Sequence, residues 1–158
     1  MASDPNSLSL IYATAKETLA SQQGQKGALE TKASALIAFA GGMFALLMGA
    51  RGTLILLPVA SQTMTLISIA LFVVSVVLAN MIVWVRKYRL DPNLEILAKD
   101  YLEKTSDETQ LQLLSNMIGT WKFNNAIFER KANYLRATFS IQAVAFILLG
   151  MGLFISIL

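Results

Sequence analysis

Charged residues are missing from three long stretches of the chain, 33–50, 52–85 and 137–158. At about 1.5 Å per helical residue each can cross a hydrocarbon core of about 30 Å, the first only just. Pro58 and the Ser61–Gln62 pair interrupt the second stretch, so the expected spans are Ala33–Ala50, about Thr63–Val85 and about Ala137–Ile157. Ahead of them, Leu8, Ile11, Tyr12, Ala15 and Leu19 fall at helical spacing and predict an amphipathic helix over about Ser7–Gln23. This arm either lies on the membrane or continues into the first span, and its few cations favour packing on protein. Gly24 and Gly27 allow a bend between arm and span.

The segment between the second and third spans is clearly punctuated. Asp91-Pro92 reads as an N-cap followed by proline at the first helical position, opening a helix of about Pro92–Lys104. Thr105-Ser-Asp-Glu108 is a capping-box signature for a second helix, which then meets no stop before the chain's end. Along it Leu111, Leu114, Ile118, Trp121, Asn125, Phe128, Ala132 and Leu135 alternate spacings of three and four. Such a pattern predicts a seam facing another helix, in the same chain or in a neighbouring copy. Asn125, the polar member, either fixes register there or meets a polar group of the N-terminal arm.

These elements predict an all-α fold: a multi-pass membrane helical bundle with three transmembrane helices and a small cytoplasmic helical layer. Residues 1–32 form a cytoplasmic N-terminal amphipathic helix and 33–85 a two-span transmembrane hairpin. Residues 86–136 form a cytoplasmic helical segment and 137–158 the third transmembrane helix. Composition agrees. The 158 residues are 55% hydrophobic with a mean hydropathy of +0.56, and 15% are charged, against about a quarter in ordinary globular chains. A soluble protein would have to bury three such helices with little chain left to cover them.

Charge then orients the spans. Lys16, Lys26 and Lys32 precede the first span, nine Lys and Arg residues lie between the second and third, and Arg51 stands alone in the short connection. Basic residues stay on the cytoplasmic side, which places the N-terminus and the long middle segment inside and the C-terminus outside. Met1-Ala-Ser-Asp-Pro lacks the basic region of a signal peptide. At the mouth of the first span, Lys32 can extend to the headgroups, and Glu30 is expected to pair with Lys26 four residues before it.

The chain has neither His nor Cys, which excludes His-dependent triads and His or Cys metal sites. No catalytic residue, metal site or cofactor is expected, and the protein reads as a non-enzyme. A net charge of +3 is accounted for by topology and gives no reason to expect a nucleic acid polymer as partner. Within the spans, Ala38, Gly41, Gly42, Ala45 and Gly49 form a ridge of small residues on which another helix can rest, within the chain or between copies. Ser68, Ser75, Asn80, Ser140 and Gln142 are the notable polar groups there. Ionisable groups, the usual mark of an ion pathway, are missing, so any hole is expected to be assembled from several subunits or to arise by bilayer disruption.

Certain features in order carry a resemblance. Glu30-Thr31-Lys32-Ala33 opens into "SALIAFAGG", the second span ends in a basic cluster, and "LQLLSNMIGTW…ERKANYLRAT" leads to the last span. This resembles the small transmembrane effectors of bacterial cyclic-pyrimidine antiphage (Pycsar) systems across most of the chain, and more loosely other multi-span effectors of nucleotide-second-messenger defence. The resemblance implies a homo-oligomer in the bacterial inner membrane that impairs membrane integrity when a cyclic mononucleotide appears. A separate nucleotide-binding domain is not visible, which confines sensing to the membrane-proximal helices. A cyclic phosphate carrying a base needs cationic donors and a stacking surface. The implied candidates are Lys32, Arg130, Lys131, Tyr134 and Arg136, with Trp121 and Asn124 further out. Gly41, Gly42, Ala45, Gly49, Leu114, Ile118, Asn125 and Phe128 are the expected packing and oligomer contacts. Two other readings fit the residues: a non-catalytic structural or accessory subunit of a membrane complex, and a small oligomeric ion channel.

Overall fold

A computed structural model describes residues 5–84, 88–89 and 104–155. The first helix, α1 (Pro5–Gly49), opens on a proline whose fixed φ suits the first helical position and whose missing N–H leaves no bond unmade there. Gly24 and Gly27 do not bend it away from helix, so arm and first span are one element. Its 45 residues are more than twice the roughly 20 that a span takes. A single-turn helix, α2 (Arg51–Leu54), follows, and α3 (Val59–Val83) begins directly after Pro58.

The second span therefore starts ahead of the expected Thr63, and Ser61–Gln62 lie inside the helix rather than before it. Their side chains explain why. Ser61 Oγ donates to the Gly152 carbonyl, and Gln62 Nε2 reaches back to the carbonyls of Ile55 and Leu57, each at 2.9 Å. These polar groups are partnered, so they do not break the helix.

The last helix, α4 (Ser106–Ile155), is continuous for 50 residues, as its lack of stops predicts. Its start is the expected capping box. Thr105 N–H and Oγ1–H donate to Glu108 Oε2 at 3.3 and 3.0 Å, and Glu108 N–H donates to Thr105 Oγ1 at 3.4 Å. The helix expected over Pro92–Lys104 lies, apart from Lys104, outside the described residues. No strand occurs among the described residues, and α1, α3 and α4 are each long and apolar enough to cross a membrane.

The chain divides into two units. Unit 1 is Met1–Gly27 with Arg86–Glu129, and unit 2 is Ala28–Val85 with Arg130–Leu158. In unit 1 the residues turned inward on α1 are Leu8, Tyr12, Ala15, Leu19, Gln22 and Lys26, and on α4 Leu113, Met117, Thr120 and Asn124. In unit 2 they are Leu29, Ala33, Leu36, Ala40, Met43 and Leu47 on α1, and Ser61, Thr65, Ser68, Phe72, Ser75, Ala79 and Ile82 on α3. Each series alternates fours and threes, the 3.5-residue period of helices that pack along a left-handed supercoil. On α4 of unit 2, Lys131, Thr138, Ala145 and Gly152 recur every seventh residue and all are buried.

Unit 2 is a three-helix bundle whose centre is Ala40, Phe72 and Ala145, one residue from each helix, flanked by Met43, Leu71 and Val76. Contacts run in the same sense along α1 and α4 (Glu30 with Lys131, Leu36 with Gln142) and in the opposite sense along α3 (Ser61 with Gly152, Ser68 with Ala145, Ser75 with Gln142). Thus α1 and α4 are parallel and α3 is antiparallel to both.

The expected seam on α4 lies beside the buried line rather than on it. Leu111, Ile118 and Trp121 are exposed, and Leu114, Asn125, Phe128, Ala132 and Leu135 are half-buried. Asn125 Nδ2 donates to Glu129 Oε1 on its own helix at 2.9 Å. The small-residue ridge is likewise unused within the chain: Gly41, Gly42, Ala45 and Gly49 are exposed, and a Cβ on any of the three glycines would meet nothing within 4 Å. Gly152 is the glycine that packing requires. Its Cβ would stand 3.2 Å from Met64 Cβ and 3.3 Å from the Ser61 carbonyl, so α3 and α4 approach there because it has none.

Candidate functional site

The inner surface of unit 2 is apolar along α1 but carries many polar side chains on α3 and α4. Ser61, Ser68, Ser75 and Thr138 are fully buried, and Thr65 and Gln142 nearly so. In lipid a buried hydroxyl or amide needs a protein partner, and each has one. Thr65 Oγ1 donates to the Ser61 carbonyl (2.9 Å), Ser75 Oγ to that of Phe72 (2.7 Å) and Thr138 Oγ1 to that of Tyr134 (2.8 Å), all within one helix. Ser68 Oγ crosses to the Ala145 carbonyl at 2.7 Å. Gln142 ties all three helices, its amide N–H groups reaching the Leu36 carbonyl (2.9 Å) on α1 and Ser75 Oγ (3.2 Å) on α3. At one end of this line Lys131, 2% exposed, donates to Glu30 Oε1 at 2.8 Å. Outside, Leu66, Val73, Val77, Phe139 and Phe146 are exposed.

The seven residues expected to meet a nucleotide are shared between the two units. Trp121 and Asn124 belong to unit 1; Lys32, Arg130, Lys131, Tyr134 and Arg136 belong to unit 2. Asn124 is buried and clasps the backbone of Arg89, accepting from its N–H at 3.1 Å and donating to its carbonyl at 3.0 Å. Lys131 is committed to Glu30, Tyr134 is half-buried with its carbonyl taken by Thr138, and Arg130 is exposed. Lys32 and Arg136 do come together. They line a groove of about 1070 Å³ between α1 and α4, walled by Phe39, Phe139 and Phe146.

Unit 1 holds a second cavity, about 420 Å³, with a different lining. Trp121 and Phe128 supply aromatic faces, Gln22, Gln25 and Asn125 supply amides, and Thr14, Thr18 and Ser21 supply hydroxyls around Glu17. No cation is among the described residues that line it. Two cations of the same unit sit over aromatic rings: Lys26 Nζ is 4.1 Å from the Tyr88 ring centre and the Arg89 guanidinium 4.5 Å from that of Phe123. Among the described residues no cluster of three or more Asp and Glu side chains could hold a metal ion.

A model of the Pycsar effector protein domain matches residues 14–158. The chain belongs to the Pycsar effector family. No curated protein and no solved structure matches it. Membership, with three helices able to span a bilayer, makes this Pycsar effector chain a membrane effector of antiphage defence.

Sequence reasoning about this Pycsar effector did not find the Glu30–Lys131 pair, the Asn124 clasp on Arg89 or the role of Gly152. One signal could have found them. Asn124, Lys131, Thr138, Ala145 and Gly152 are spaced by seven throughout, a register in which a polar or small side chain is required by what lies opposite rather than favoured by hydropathy.

Proposed function

We propose that this effector sits in the bacterial inner membrane with its N-terminus and middle segment cytoplasmic and its C-terminus outside, senses a cyclic mononucleotide, oligomerises and impairs membrane integrity. It is not an enzyme in this reading. The observation that carries it is the line of buried polar side chains on α3 and α4 of unit 2, set against an apolar outer wall. Helices built this way are held together by hydrogen bonds that water or a second copy can replace, and several copies that exchange those bonds would line a hydrophilic hole. Neither lipid tails nor a lone helix could cover Ser61, Ser68, Ser75 and Gln142, so opening favours assembly of copies. The outward small-residue ridge of α1, Gly41, Gly42, Ala45 and Gly49, suits close contact between copies.

The nucleotide base fits the cavity of unit 1. Trp121 and Phe128 offer stacking faces, and the Gln25 amide with the amide oxygens of Gln22 and Asn125 suits the edge of a base, while Gln22 Nε2 and Asn125 Nδ2 donate to the Trp121 carbonyl and Glu129 Oε1. Its volume falls within the range of about 300–1,000 Å³ common for small-molecule sites. Glu17 suits a ribose hydroxyl and disfavours the phosphate, which is left toward the open mouth. Binding drives the membrane change only through higher affinity for the open arrangement.

The test uses the full chain in dye-loaded vesicles, with a panel of cyclic cytidine, uridine, adenosine and guanosine monophosphates. One of them is expected to raise thermal stability in detergent and to release dye, and Trp121→Ala to remove both responses. Ion flux without any nucleotide would favour the channel reading, since the buried polar line suits that too. No shift and no release with any nucleotide would leave the accessory-subunit reading.

A further inference from the structure

The groove between α1 and α4 of unit 2 combines two cations with a long apolar trough. Lys32 and Arg136 are exposed, and no carboxylate among the described residues lies within ion-pair distance of either. Arg136 Nη1 makes one long bond, 3.4 Å, to Asn133 Oδ1. The two stand at the same level. They are 104 positions apart, between the 101 of the Glu30–Lys131 contact and the 106 of the Leu36–Gln142 contact on these parallel helices. Apart from Leu135, which adjoins Arg136, the apolar wall residues follow their helix's cation in the chain, so the trough runs from the charged level into the spans. Phe39 and Phe146 line it across the two helices with ring centres 6.3 Å apart. From Arg136 to Ile147 is roughly 16 Å of helix at 1.5 Å per residue, about half of a roughly 30 Å hydrocarbon core and so the depth of one leaflet.

We propose that this groove binds an anionic glycerophospholipid, with its phosphate between Lys32 and Arg136 and one acyl chain along Phe39, Phe139 and Phe146. Basic pockets between transmembrane helices are suited to anionic headgroups, and the cations here are placed at headgroup height by the same helices that wall the chain's path. The volume exceeds what a compact ligand fills but suits an extended chain. A span of a second copy is a poorer occupant, because residues 33–50, 52–85 and 137–158 contain no carboxylate to meet the two cations. A free nucleotide is poorer still. The Gln142 amide is already engaged by Leu36 and Ser75, and the walls would leave the polar edge of a base without partners. The inference does not depend on nucleotide sensing and stands or falls separately from it.

Native mass spectrometry of the full chain in detergent, with equal amounts of phosphatidylglycerol and phosphatidylcholine bearing identical acyl chains, reads the preference. Retention of phosphatidylglycerol is expected to exceed that of phosphatidylcholine by about tenfold or more, as two cations beside an anionic headgroup imply. Lys32→Gln with Arg136→Gln should bring the two lipids to parity. Lys32→Arg with Arg136→Lys should keep the preference, and Lys16→Gln with Lys122→Gln, both exposed in unit 1, should leave it unchanged. Circular dichroism verifies that each variant is folded. A photo-crosslinking residue in place of Phe139 should capture lipid. Parity in the unaltered chain, or a preference that survives the double Gln variant, overturns the proposal. So does displacement of the lipid by soluble glycerol phosphate or a cyclic mononucleotide, which would assign the cations to a free phosphate. Capture of a second copy at position 139 overturns it in favour of an interface.

Discussion

Units 1 and 2 repeat the same packing geometry with different chemistry inside it. Both turn residues inward at alternating fours and threes. In unit 1 the inward line is led by Leu8, Tyr12, Leu19, Leu113 and Met117, with Gln22, Lys26, Thr120 and Asn124 toward one end, while Lys16, Glu17, Asp107, Glu108 and Lys122 are exposed. In unit 2 the inward line on α3 is mostly hydroxyls, and the large apolar residues, among them Phe44, Leu66, Val73 and Phe139, face outward. Periodicity is a property of the helix, whereas the surroundings decide which residues it hides. Water drives leucine in; lipid tails offer leucine no reason to be inside and leave hydroxyls, amides and close packing to hold helices together.

Substitutions can break this comparison at several depths. The largest effect is expected at the ion pair of unit 2. Glu30→Ala removes the carboxylate to which the buried Lys131 ammonium donates, and breaking a buried pair in this way costs on the order of 3 kcal/mol. Lys131→Ala should cost less, because Glu30 is 31% exposed and can turn to water. Glu30→Leu with Lys131→Met should recover most of the loss in thermal unfolding in detergent. Equal effects of the two single substitutions would mean that the asymmetry of burial is irrelevant.

Next comes Gly152→Val, which forces α3 and α4 apart and should destabilise by about 1–3 kcal/mol, as overpacking does. Gly41→Val should change monomer stability by less than about 0.5 kcal/mol, since nothing stands within 4 Å. The smallest effect is expected at single hydrogen bonds in the apolar spans. Ser68→Ala removes the bond to Ala145 and should cost about 0.6 kcal/mol, the average for an interhelical hydrogen bond in lipid. A loss several times larger, by denaturant titration in micelles, would show that the polar line works as a connected network rather than as separate bonds.

The fold was largely legible before any coordinates. Long chargeless runs mark the spans, because a charge in hydrocarbon is costly wherever it falls, and Thr105 to Glu108 mark a helix start by local bonds alone. The expected seam is exposed at Leu111, Ile118 and Trp121 within one chain, so the rule that apolar residues face another helix of the same chain does not select the buried line here. That rule reverses where the surroundings are lipid, and it already fails on the stretch of α4 where Thr120 and Asn124 are buried. The ridge at Gly41 and Gly42 is unused within one chain because small residues permit close approach without requiring it, and only Gly152 has a neighbour in the chain that does. Among the candidate ligand residues, Lys32 and Arg136 share a wall because a separation of 104 matches the register of parallel helices. Trp121 and Asn124 belong to unit 1, an assignment that residue type cannot reveal.

The Gln62 hook has a consequence for biogenesis. By holding the carbonyls of Ile55 and Leu57 it shortens the link between α1 and α3 to a tight corner, so these two segments can leave the translocon as a hairpin while the rest of the chain is still on the ribosome. Thr63, Thr65 and Ser75 satisfy themselves on carbonyls of their own helix in the meantime. Ser61 and Ser68 bond to α4 and must wait for it. A nascent chain halted before α4 is made therefore lacks these two bonds between helices, a mark by which membrane quality control could recognise an incomplete protein.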